Sequence, residues 1–193
     1  MSLDRSTAPK AGMMQPLSLP AYTTHHMSNG LADHLLPYGT NEVVEVQWIF
    51  KAGKNYQTLA GQAHFTLRNL QEGTASYTSL ALAQQLDQYG AWLNQFVGEE
   101  ILSLSLATVS SQLSNTLPLL SEVVLSPQFP EREFEQMKAR SRQNFETSSQ
   151  KTTYQARRAF GHLLYGENHP YGLHFGKDEV EALNLAALRQ YYQ

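Results

Sequence analysis

Histidine is the residue type here best suited to chemistry near neutral pH, as metal ligand or proton carrier. The seven histidines fall into three groups. His25, His26 and His34 lie early in the chain, His64 stands alone, and His162, His169 and His174 lie late. The first group reads as solvent-facing strand positions with no carboxylate nearby. The last reads as structural or loop histidines. His64 sits in a helical pattern, because Ala60, Ala63, Leu67 and Leu70 recur at steps of three and four. That stripe predicts a helix from about Thr58 to a stop at Gly73. Catalytic zinc needs three protein ligands and an open position for water. Leucine can neither ligate nor accept a proton, and arginine only donates and stays cationic. Leu67 and Arg68, one turn beyond His64, therefore leave it without a co-ligand on its own helix. His64 is expected to be a partly buried helix histidine bonded to a backbone carbonyl.

The elements around it follow from periodicity and breakers. Pro9, Gly12, Pro16 and Pro20 make residues 1–20 an irregular arm or leader. Residues 21–193 read as one domain. Residues 22–27 and 31–36 flank Ser28-Asn29-Gly30, a strong hairpin signal. Residues 41–51 carry Val43, Val44, Val46, Trp48, Ile49 and Phe50, the nearly continuous apolar run of a central strand covered on both faces. A helix over 80–89, with caps at Thr78 and Ser79, stops at Gly90. Strands over 91–96 and 100–108 follow, the second alternating cleanly. The next helix, 111–125, is kinked at Pro118 or starts near Thr116. Pro130 opens a long helix to about Phe145, and further helices cover 152–165, 178–183 and 185–192. The sum is an α+β fold: a mostly antiparallel sheet of about five strands with helices packed mainly on one face.

Composition narrows the function. The 193 residues suffice for one substantial core. A net charge of −3, a pI near 6.1 and no marked lysine/arginine cluster give no sign of nucleic-acid binding. With no cysteine there is no disulfide framework and no thiolate metal site. No apolar run approaches the roughly 20 residues of a membrane span, and no secretory signal opens the chain. Met1-Ser2-Leu3 reads as a vector-derived leader. The compartment stays unknown, with the cytoplasm slightly favoured.

The order of these elements resembles the pitrilysin/insulinase family of zinc peptidases, which includes the mitochondrial processing peptidase. In that family the helix after the first long strand carries H-x-x-E-H, two histidines that bind one zinc and a glutamate that takes the proton of its bound water. Here those places hold His64, Phe65, Thr66, Leu67 and Arg68. The family's strand G-A-x-x-N-A-x-T is an exposed edge on which substrate peptide pairs. It is matched by Gly90-Ala91-Trp92-Leu93-Asn94-Gln95-Phe96-Val97, with Gln95 and Val97 departing from the pattern. Asn94, Gln95, Phe96 and Val97 are thus the implied substrate edge. The third zinc ligand is a glutamate on the long helix; counting from Arg68 reaches Asn144, with Glu146 nearby. The most specific match is His169-Pro170-Tyr171-Gly172, followed by Gly176-Lys177.

The resemblance covers residues 22–193 and ends where the family's first half-lobe ends, so the chain reads as truncated at its C-terminal end. It implies a metallohydrolase-like fold of the processing-peptidase type. The replaced motif implies that catalysis and zinc are lost and that no cofactor is expected. The function implied is a peptide-binding or partner subunit of an active paralogue, or a self-associating chain, with peptides as ligands and neither nucleic acid nor membrane. The alternatives are an active zinc metalloendopeptidase rearranged around His64 and Glu146, or a structural assembly subunit.

Overall fold

The computed structural model describes residues 12, 18–166, 169–172 and 175–193. Most of the leader, together with Glu167, Asn168 and His174, lies outside the described residues. Chain contacts divide the protein into Met1–Asn41 and Glu42–Gln193.

In the first unit β1 (Thr23–His26) and β2 (Ala32–Leu35) form an antiparallel hairpin, in register from Thr23 opposite Leu35 to His26 opposite Ala32. Gly30 turns the chain at φ +86°, a conformation only glycine adopts without strain, and Asn29 Oδ1 accepts the Leu31 amide at 3.1 Å. The sequence reading left the hairpin histidines without a carboxylate. The register corrects this by setting Asp33 opposite His25, with 3.3 Å between Oδ2 and Nδ1.

The second unit holds β3 (Val43–Phe50), β4 (Trp92–Val97) and β5 (Leu102–Val109) in one antiparallel sheet of order β3-β5-β4. The five expected strands all form, but they divide into sheets of two and three instead of joining one sheet. β3 was expected at the centre; it lies at an edge, alternating exposed and half-buried residues. β5 is central, and seven of its eight residues are buried. Composition explains the exchange. Glu45 and Gln47 interrupt one face of β3, whereas β5 offers Leu102, Leu104 and Leu106 to the core and only Ser103, Ser105 and Ala107 to the other face. Side chains that small are covered by flanking strands, and Ser103 Oγ also accepts Gln47 Nε2 at 3.0 Å.

Seven helices of the described residues complete the unit: α1 (Gln62–Asn69), α2 (Ser79–Gln88), α3 (Leu113–Leu125), α4 (Glu131–Ser149), α5 (Thr152–Tyr165), α6 (Lys177–Ala182) and α7 (Leu185–Tyr192). α3 starts ahead of Pro118 and runs through it. Phe65, Leu67, Leu82, Leu120, Val123, Phe134, Leu183 and Leu188 pack with the leucine face of β5 into one core. On the opposite face Ile49, Trp92 and Phe96 are exposed. The helices therefore sit mainly on one side, an α+β layer arrangement. No helix among the described residues is long and apolar enough to cross a membrane.

α1 is shorter than its apolar stripe suggests. Gly61, just ahead of it, has φ +87°, which ends helical propagation. Gln62 then supplies the amide acceptor the truncated helix needs: its Oε1 accepts the Thr58 amide at 2.8 Å and the Leu59 amide at 3.3 Å. A Cβ at Gly61 would collide with the Phe175 ring. Gly61→Ala is expected to destabilise the fold by more than the ~1–2 kcal/mol of left-handed strain alone, read as a lower urea midpoint. Phe175→Ala in the same chain should relieve the clash but not the strain.

Candidate functional site

The start of α1, the end of β4, α4, α5 and the residues Pro170, Tyr171 and Phe175 surround a cavity of about 800 Å³. Gly61 and His64 enter from α1, Val97 from β4, Ser141 from α4, and Arg157 and Arg158 from α5. The turn after β4 is held by the segment before α1. Lys54 and Asn55 donate their amides to the carbonyls of Gly98 (3.0 Å) and Glu99 (2.9 Å). Gly53 approaches Glu99 so closely that no side chain fits there. Lys54 Nζ meets Glu99 Oε1 at 2.6 Å, and Asn55 Nδ2 donates to Glu100 Oε1.

The His169-Pro170-Tyr171-Gly172 segment braces the same turn. Tyr171 Oη donates to Glu100 Oε1 at 2.9 Å, and this bond raises the phenol above its ordinary pKa. The His169 ring stacks on Tyr165 with centroids 5.5 Å apart and accepts the Tyr171 amide at Nδ1 (3.2 Å). His169 thus packs and positions.

The four motif positions separate in space. The His64 ring meets Phe65 edge-on at 6.1 Å; among the described residues it makes no hydrogen bond to a backbone carbonyl, the partner the sequence suggested. His64 is exposed on α1, yet neighbouring atoms strip its ring of part of its water. That desolvation, then the charges of Arg68 and Lys54, hold its imidazole below the ordinary 6.5. Leu67 is 2% exposed and belongs to the core. Arg68 is exposed one turn beyond His64. Asn144 and Glu146 are exposed on α4; Ser141, one turn before Asn144, is the α4 residue that lines the cavity. Among the described residues no three of His, Cys, Asp and Glu gather where one ion could be held. An imidazole beside a guanidinium does not fit a dication, which needs three donors and repels a fixed cation.

Among the described residues β4 pairs with β5 alone, and no strand pairs with its other edge. Asn94 and Phe96 turn to the exposed face of the sheet, and Gln95 and Val97 turn inward. Gln95 Nε2 donates to the Leu67 carbonyl at 2.8 Å, tying the strand edge to α1. Sequence reasoning passed over Lys54, Ser141, Arg157 and Arg158. The adjacent arginines, three and four residues after Tyr154, were the only available signal. Lys54 joins them through tertiary structure alone.

The family profile described as Insulinase (Peptidase family M16) matches residues 36–166. Among solved structures, a peptidase M16 inactive domain from Pseudomonas fluorescens is 25% identical with a TM-score of 0.82, covering 89% of this chain and 43% of that one. A protease from Helicobacter pylori shares the fold at 22% identity and a TM-score of 0.78, covering 91% of this chain and 44% of that one. The chain spans less than half the length of either. Comparison with curated proteins finds no match.

Two outcomes are expected. Leu67→Glu buries a carboxylate in the core and should lower unfolding free energy by several kcal/mol, on the order of 3 or more, measured by urea denaturation. His64 is harder to protonate folded than unfolded. Its neutral form therefore contributes stability above about pH 6.5 that is lost as pH falls towards the lower folded value. His64→Gln should flatten the fall in thermal midpoint across that window.

Proposed function

Because the chain belongs to the insulinase family, Peptidase family M16, we propose that it is a non-catalytic member that binds peptide at the free edge of β4. It would act as partner to an active paralogue or to a second copy of itself. The observation that carries this reading is Leu67. Peptide hydrolysis at a zinc-bound water needs a general base beside the metal. The side chain at that place in α1 is an alkyl group packed in the core, with its carbonyl taken by Gln95. Arg68 adds a fixed charge opposed to metal one turn from His64, the single ligand left on α1. The similarity to a solved M16 domain described as inactive supports the same reading.

What remains suited to work is the edge. An unpaired strand edge recruits an extended chain through main-chain hydrogen bonds, and alternate side chains then set preference. Asn94 and Phe96 present one set of contacts on the exposed face and Val97 the other. Gln95 points the other way and ties the strand to α1.

The purified chain, stripped of metal and titrated with Zn²⁺, should hold no stoichiometric zinc by elemental analysis and should cleave no peptide. One tightly held zinc per chain, lost in His64→Ala, would overturn the non-catalytic reading. An extended apolar peptide should bind, and N-methylation of its alternate amides should weaken binding at least about tenfold, near 1.4 kcal/mol. Equal affinity for the methylated peptide would sink the strand-edge assignment.

A further inference from the structure

The cavity beside His64 is unevenly charged. Lys54 is neutralised by Glu99 at 2.6 Å. Arg157 and Arg158 both line the cavity and are exposed, and neither makes an ion pair among the described residues. Of the charged groups lining the cavity, two guanidinium cations are left over, with Arg68 close enough to His64 to act on it electrostatically. Tyr154, Arg157, Arg158 and Gly161 are spaced three and four apart, so one face of α5 presents both arginines to the cavity. Tyr154 is anchored through its hydroxyl to the Phe175 carbonyl at 3.2 Å, and Phe145 meets its ring at 6.1 Å. The helix face bearing the arginines is thereby fixed against its neighbours. Unpaired guanidinium groups beside apolar lining suit a carboxylate, which they grip with paired, charge-assisted hydrogen bonds.

The place of this charge in the fold gives it a partner. Val97, the last residue of β4, lines the same cavity, as does Glu99 two residues on. A peptide paired along β4 therefore has one end beside Arg157 and Arg158. We propose that the cavity receives a carboxylate of a peptide laid along β4, held by Arg157 and Arg158, so that the edge selects acidic peptides. The inference rests on the strand-edge reading above and deepens it. The lowered proton affinity of His64 agrees with it, since the imidazole stays uncharged near neutral pH and the arginines carry the charge.

The test uses the full chain and fluorescein-labelled, valine/threonine-rich octapeptides with amidated C-termini. One series carries a single glutamate moved along the peptide; the matched series carries glutamine. A third arm is a glutamine peptide with a free C-terminal carboxylate. By fluorescence anisotropy at low salt, the best glutamate peptide or the free-carboxylate peptide should bind about tenfold more tightly than its neutral match. Which one gains tells a side-chain carboxylate from a chain terminus. The preference should shrink at high salt. It should vanish in the double variant Arg157→Gln, Arg158→Gln, whose affinity for the neutral peptide and urea midpoint stay at the parent values. Equal binding of charged and neutral peptides overturns the inference and leaves the strand-edge reading standing. Binding of none of the peptides sinks both. A preference that survives in the double variant overturns the assignment to the arginines.

Discussion

The rotational setting of α1 is the constraint on which the rest of the site depends. Gln62, 1% exposed, fixes it from both ends of its amide. Its Oε1 takes the Thr58 and Leu59 amides ahead of the helix, and its Nε2 donates to the Ala187 carbonyl at 2.6 Å on the facing helix α7. A buried amide with both ends satisfied is costly to move, because each broken bond strands a desolvated polar group. A slip of one residue would turn α1 by about 100°. That would carry Leu67 out of the core and drive His64 into it. The hydrogen bonds and the apolar stripe therefore enforce the same setting, and that setting puts the alkyl group inside and the imidazole at the cavity.

The cavity walls are held by polar contacts that each join distant parts of the chain. The turn after β4 is fastened to residues 53–55 and to Tyr171. α4 is fastened to α6 by Lys138, a buried lysine whose Nζ donates to the Leu183 carbonyl at 3.0 Å and lies 5.5 Å from the Phe134 ring centroid. A cation at the carbonyl end of a short helix meets the negative end of its dipole. Arg142 adds an exposed pair to Glu181 at 3.1 Å, which contributes little by itself. Tyr191 Oη donates to the carbonyls of Ala52 (2.6 Å) and Gly53 (2.9 Å), and burial pushes its pKa up to about 12, so it remains a donor at physiological pH. These contacts offset the burial of polar groups; the apolar cluster beneath them supplies most of the stabilisation.

One sheet face and one helix register together account for the electrostatics. The sheet packs its leucines inward, which leaves α1, α4 and α5 to form the polar side of the cavity. Only α5 adds unneutralised charge there.

What the sequence determined by itself was local. The period of α1, the hairpin at Asn29-Gly30 and the order of strands and helices follow from residue type and spacing. Burial of Leu67 was equally legible, because a helix with one apolar stripe has one inward face. Tertiary structure alone decided which strand is central. The apolar run of β3 looked like a sheet centre, but Glu45 and Gln47 keep one of its faces wet, and the small residues of β5 become buried only once two flanking strands cover them. It alone decided that Ser141 lines the cavity and Asn144, exposed one turn further on, does not, since counting along a chain does not say which turn of a helix runs beside the cavity. And it alone gathered Lys54, His64, Arg157 and Arg158. Such long-range proximity is set by how α1 and α5 pack around a shared core, and nothing in the neighbourhood of any one of those residues encodes it.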